Sequence, residues 1–171
     1  MQFRWGVGNK IMETKLLQAF NRQINHEFYG AYLYFAMSTY FSEISMQGFC
    51  DFMKHKASQK LDSAQKIYDY LILRDEKLIF SKIEEPSIDW INVSDVFSSA
   101  LSHEEFMFAQ IKELHQNAKE ADDIAAMEYI SEFINEQVKN VGYFRKLVFR
   151  IKNANVITPN IEYLDGVINT I

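Results

Sequence analysis

Three glutamates, a lysine, a serine and two amides interrupt otherwise apolar helical stripes in this chain of 171 residues. Glu27, Glu104 and Glu136 stand where core hydrocarbon is expected. Lys60 and Ser63 lie halfway along another stripe, in HKASQKLDSAQKIYDYL, and Gln137 and Asn140 follow Glu136. A single glutamate on a helix face is ordinarily solvated. Four interruptions at comparable depth imply one buried polar layer. A buried carboxylate without a partner costs several kcal/mol, so it must be paired, protonated or bound to a cation. Three carboxylates and one ammonium leave an excess of about two negative charges, to be met by protons, water or a metal ion. Oxygen donors with few nitrogens suit iron, manganese or magnesium.

The elements that must carry this layer follow from hydrophobic periodicity. A first helix is expected from Ile11 to about Phe41, with seam Leu17, Phe20, Ile24, Glu27, Ala31, Tyr34, Met37 and Phe41. Ser45 is the expected N-cap of a second helix running to about Arg74. Its seam is Phe49, Met53, Ala57, Lys60, Ser63 or Ala64, Ile67 and Leu71. A connection over 75–93, with Pro86 and no helical period, is long enough to travel the length of a bundle. Asn92 or Ser94 caps a third helix over about 94–120, with seam Phe97, Leu101, Glu104, Phe108, Ile111 and Leu114. Asp122 or Asp123 caps a fourth, reaching about Lys152 through Ala126, Tyr129, Phe133, Glu136 or Gln137, Asn140, Phe144, Leu147 and Ile151. Each helix is about 40–45 Å long at 1.5 Å per residue. Short, long and short connections make the second and third helices run parallel.

The expected organisation is an N-terminal arm (1–10), a four-helix bundle (11–152), and a connection with a short C-terminal helix (153–171). Pro159 suits that last helix's N-terminus. The fold class is all-α, a four-helix bundle with one long crossover and a short fifth helix. The chain has only 6 Gly and 2 Pro, which disfavours a turn-rich β design. A net charge of −5 argues against nucleic acid as a partner. No apolar run is long enough to span a membrane. One cysteine, Cys50, and no secretory pattern at the start lead to the expectation of a cytoplasmic protein.

The stretches INHEFYGAYLY and ALSHEE, with SMQGFCDFMKHKASQKLDSAQKIYDYL and EFINEQVKNVGYFRKL, resemble the four helices of the non-haem ferritins over about residues 11–171. The resemblance implies a shell of 24 subunits storing ferric mineral, with a di-iron ferroxidase site inside each bundle. On it, Glu27, Glu104, Glu136 and Gln137 match metal ligands, and Tyr34 matches a tyrosine beside the centre. The second helix departs from the family. Where the family has Glu-x-x-His, this chain has Lys60 and Ser63. Gln59, Lys139 and Asn140 stand where bacterial members often carry glutamates for a third iron. A protonated ammonium has no lone pair for a metal. Lys60 is therefore expected to replace the bridging metal charge and pair across the bundle, as in light-chain-type animal subunits.

The resulting expectation is an iron-storage cage subunit with its ferroxidase site largely lost. The alternatives are a slow ferroxidase using a one-iron remnant, and a structural shell protein co-assembling with active ferritin subunits. Iron is expected as stored mineral or a weakly bound ion, without haem. His26, His55, His103 and His115 are expected at surfaces or interfaces, Met53 in packing, and Cys50 as a small core or interface residue. Asp51, Lys54, His55, Ser58 and Leu61, expected to face the cavity, make a poor surface for nucleating mineral. Aromatic residues on more than one helix face, and an apolar tail helix, require other subunits to cover them.

Overall fold

The structure, a computed structural model, describes residues 12–157 and 161–170. The expected N-terminal arm and Pro159 lie outside them. Five helices follow in order: α1 (Thr14–Glu43), α2 (Gln47–Leu73), α3 (Val93–Glu120), α4 (Ile124–Ile157) and α5 (Ile161–Val167), then a 3₁₀ turn at Ile168–Thr170. Among the described residues there is no strand, and no helix is long and apolar enough to cross a membrane. The chain is an all-α four-helix bundle with a short C-terminal helix, as its periodicity and connection lengths require.

The helix ends are set by local chemistry. Glu13 accepts a hydrogen bond from the Leu16 N–H at 3.1 Å, so α1 begins three residues after the expected Ile11. Ser45 is not the cap of α2. It adopts φ 60°, and Met46 N–H returns to Phe41 C=O, closing α1 with a left-handed residue. Asp75 and Asp122 stop α2 and α3 in the same way. Short polar side chains tolerate that conformation better than bulky ones. Asn92 caps α3 through the Asp95 N–H. Asp123 caps α4 through the Ala126 N–H, and its carboxylate also takes two hydrogen bonds from Arg74.

No side chain of its own caps α2. Instead, Asp165 on α5 accepts the Phe49 N–H at 2.6 Å. Gly48 permits this approach, because a Cβ there would lie 1.8 Å from the Asp165 carbonyl oxygen. α5 thus docks on the start of α2, with Ile168 buried and Ile161 and Leu164 half-buried against the core. Tyr163 remains exposed.

Residues 74–92 cross between α2 and α3 as extended chain along α1. Asn21 accepts from the Ile79 N–H at 2.7 Å and donates to Lys77 C=O, while Asn25 donates to Lys82 C=O. Trp90 ends the crossing with a hydrogen bond from its indole N–H to Ser99. Backbone groups that pair with no strand or helix are met by α1 side chains.

The apolar core is in two parts. One holds Phe41, Phe49, Phe97, Phe144 and their neighbours. The other holds Phe20, Ile67, Leu114, Ile130 and Phe133. Seam residues are buried as expected on α1 and α2, except that Leu17 is half-buried and Leu16 takes the core position. On α3 the buried position is Met107, with Phe108 half-exposed, because the seam precesses around the helix by a fraction of a residue per turn.

Candidate functional site

Between the two apolar clusters lies a polar layer drawn from all four long helices. Glu27 and Tyr34 come from α1, Lys60 from α2, Glu104 from α3 and Gln137 from α4, and all five are buried. Lys60 is only 5% exposed, so its ammonium does not reach solvent. Its Nζ lies 3.1 Å from both Glu104 carboxylate oxygens and 4.0 Å from Glu27 Oε2.

Glu104 is the best satisfied member. It accepts from Lys60, from the Tyr34 hydroxyl and from the Gln137 amide, which donates to the Glu104 backbone carbonyl as well. Burial works to raise its pKa, but the Lys60 charge and these hydrogen bonds outweigh burial and hold it below the ordinary carboxylate value. Burial likewise works to lower the Lys60 pKa. Glu104 and Glu27 outweigh it, so the ammonium is held above its ordinary value and stays charged. Burial also keeps the Tyr34 hydroxyl neutral, reinforced by the neighbouring Glu104 charge.

Glu27 is different. Gln23 donates to its Oε1 at 2.8 Å, but Oε2 has no hydrogen-bond partner. Burial raises its pKa to about 7, and Lys60 offsets only part of this. The charge accounting expected from the sequence therefore changes. Glu136 is exposed and stands at the rim of the layer, leaving two buried carboxylates rather than three. One is neutralised by Lys60 and the other takes up a proton near pH 7. Glu136 lies on the outer side of the helical turn whose inner side is Gln137, and a stripe reading could not choose between adjacent residues.

The void enclosed by the layer is about 10 Å³, bounded by Glu27, Lys60, Ser63, Glu104, Glu136 and Gln137 among others. That is near the minimum for one water molecule. Among the described residues no three His, Cys, Asp or Glu side chains stand together closely enough to hold a metal ion. Ser63 is half-buried on the wall of this void, and Asn140 lies at its edge beside Lys56.

Two residues of this neighbourhood escape a seam reading. His103 is buried rather than at a surface, with Nε2 unpartnered. Its ring packs on Tyr29 and Tyr34, and burial, with Lys60 nearby, lowers its pKa to about 4. Gly30 makes room for it, since a Cβ there would lie 2.7 Å from Nε2. Lys56, one turn before Lys60, is half-buried above the rings of Phe52, Tyr143 and Phe144 at 5.6–5.7 Å. The lysine spacing of four residues was the available signal.

The comparison with known proteins decides the lineage. A family model described as Ferritin-like domain matches residues 17–154. The chain is also 31% identical over 134 residues to the bacterial non-heme ferritin of Staphylococcus aureus, covering 78% of this chain and 81% of that protein. The chain belongs to the non-haem ferritin family. The bacterial non-heme ferritin of Staphylococcus saprophyticus is equally similar, at 31% identity. In three dimensions this ferritin overlays an open-pore ferritin from the archaeon Archaeoglobus fulgidus with a TM-score of 0.87 and 28% identity, covering 91% of this chain and 94% of that one. A humanized archaeal ferritin overlays with the same TM-score and identity, covering 90% and 93%. The polar layer of this ferritin thus occupies the middle of a ferritin bundle, with an ion pair at its heart.

Proposed function

We propose that this ferritin is an iron-storage shell subunit whose own capacity to oxidise Fe(II) is low, because Lys60 holds the place of a bridging metal charge. The observation that carries this reading is the buried Lys60–Glu104 pair at 3.1 Å. A di-iron centre needs carboxylate between two cations, and here a cation already fills that position. Glu104 spends its lone pairs on Lys60, Tyr34 and Gln137. The resemblance that matches Glu27, Glu104, Glu136 and Gln137 to ligands makes them remnants of a metal shell, and Lys60 and Ser63 its replacements.

Storage by such a subunit depends on iron oxidised elsewhere, by dissolved oxygen or by ferroxidase-active subunits in the same shell. Assembly into a closed multi-subunit cage in the cytoplasm is part of this reading. The family supports it, as do apolar residues left uncovered on one chain: Leu73 and Ile91 are 84% and 88% exposed.

The test is the initial rate of Fe(II) oxidation, paired with anomalous diffraction from iron-soaked crystals. The reading expects a rate close to that in buffer alone and no well-occupied iron among the four remnant residues. Iron at about 2.0–2.3 Å from those carboxylates would overturn it. The double substitution Lys60→Glu with Ser63→His is expected to create rapid oxidation. A second reading, a slow one-iron site, is favoured by one feature. Glu27 Oε2 is buried and unpartnered, an oxygen available to a cation if Lys60 swings aside. Iron-dependent loss of the Lys60–Glu104 contact in the soaked crystal would establish it.

A further inference from the structure

A second cationic feature lies beside the polar layer. From residue 137 to 161 the sequence contains Lys139, Arg145, Lys146, Arg150 and Lys152 and no acidic residue. From 52 to 61 it contains Lys54, His55, Lys56 and Lys60, again with no acid. In a chain of net charge −5, two acid-free runs on neighbouring helices concentrate positive charge. The fold brings them to one groove between α2 and α4, about 640 Å³ in volume, bordered by His55, Lys56, Gln59, Lys139, Asn140 and Lys146. Among the described residues no carboxylate lines it.

Some of the cations near it are already neutralised. Arg145 pairs with Glu105, Lys54 lies near Asp51, and Lys60 is committed to Glu104. Among the described residues, Lys56, Lys139 and Lys146 form no salt bridge. Lys56 is held in place by three aromatic faces and by Asn140 Oδ1 at 3.4 Å. Burial lowers its pKa and Lys60 adds to the effect, while Glu104 and Glu136 nearby offset only part of it. Gln59 and Asn140 add amide donors, which bind oxyanions without adding charge.

We propose that the α2–α4 groove binds an inorganic oxyanion of the phosphate class, held by Lys56, Lys139 and Lys146 with the amides of Gln59 and Asn140. The overall negative charge of the chain does not prevent this, because fields beyond about 8 Å are screened at physiological salt while the lysines line the groove itself. The site does not depend on iron, so the reading of the polar layer stands or falls separately.

The experiment is titration of the iron-free assembled protein with inorganic phosphate, followed by calorimetry and by ³¹P line broadening. Expected is saturable binding, competed by sulfate and not by equal chloride. Lys139→Gln with Lys146→Gln should weaken it about tenfold or more, a loss readily seen in Kd. Lys56→Met should weaken it further. Lys112→Gln, a lysine on α3 away from the groove, should leave it unchanged. Non-saturable uptake, wild-type affinity in the Lys139/Lys146 double variant, or equal loss in Lys112→Gln would each overturn the proposal. Both groove lysines in that variant are exposed, so its folding is secure and it decides the matter even if Lys56→Met misfolds.

Discussion

Glu27 and His103 pull stability in opposite directions as pH changes. Glu27 has a folded pKa near 7, above its ordinary value. Its contribution is therefore complete below about pH 4.5 and is lost as pH rises through 7. His103 has a folded pKa near 4, below its ordinary value, so its contribution is complete above about 6.5 and is lost as pH falls toward 4. Each shift is worth on the order of 3 kcal/mol. Between about pH 4.5 and 6.5 they nearly cancel. Glu27→Gln removes one side of that balance, so its Tm should fall as pH drops from 6.5 to 4.5 while the parent stays nearly flat. A parent and variant with parallel Tm-versus-pH curves would contradict this. Lys60 sets the other residue-scale prediction. Lys60→Met leaves Glu104 buried without its cation and should cost about 3–5 kcal/mol in urea unfolding. Adding Glu104→Gln should recover much of that loss, because the charge requiring a partner is gone.

At the scale of elements, α5 is a clasp on α2. It delivers Asp165 to the Phe49 N–H and relies on Gly48 for clearance. Asp165→Ala should cost about 1 kcal/mol, the usual worth of an N-cap. Gly48→Ala should cost more and expose the C-terminal segment to protease, since the clash is with backbone and α5 must move. Unchanged proteolysis in Gly48→Ala would contradict this account of the docking. The crossover depends on Asn21 in the same manner. Asn21→Ala would strip the Ile79 N–H of its acceptor and raise hydrogen exchange across 77–82.

At the scale of the molecule, one chain leaves much apolar surface uncovered along the crossover and its flanks. Ile72, Leu73, Ile79, Phe80, Ile88 and Ile91 are all more than half exposed. So many exposed large apolar side chains along one segment mark association. Light scattering should give a mass many times the 20.1 kDa of the chain. Phe80→Asp with Ile91→Asp should shift the protein toward small species without unfolding the bundle, because neither side chain belongs to either core cluster. A large assembly that survives both substitutions would place the contacts elsewhere.

What the sequence by itself determined is what depends on local periodicity. Four helices, one long crossover, the buried stripes of α1 and α2, and a polar layer in which Lys60 meets Glu104 all follow from residue types repeated at helical steps. The caps of α3 and α4 were legible to within two candidates each, Asn92 or Ser94 and Asp122 or Asp123, because capping is local, and the structure has Asn92 and Asp123. Tertiary structure alone decided the rest. Ser45 became a helix stop while the cap of α2 came from Asp165, more than a hundred residues away. Glu136 or Gln137 was settled by the rotation of α4 about its axis, which a repeat of three or four residues leaves open by one position. His103 was buried because Gly30 on another helix left room for its ring. The Ser45 stop is made by its own neighbours Phe41 and Met46; in the other cases the deciding contacts come from other helices, and no pattern along one helix carries that information.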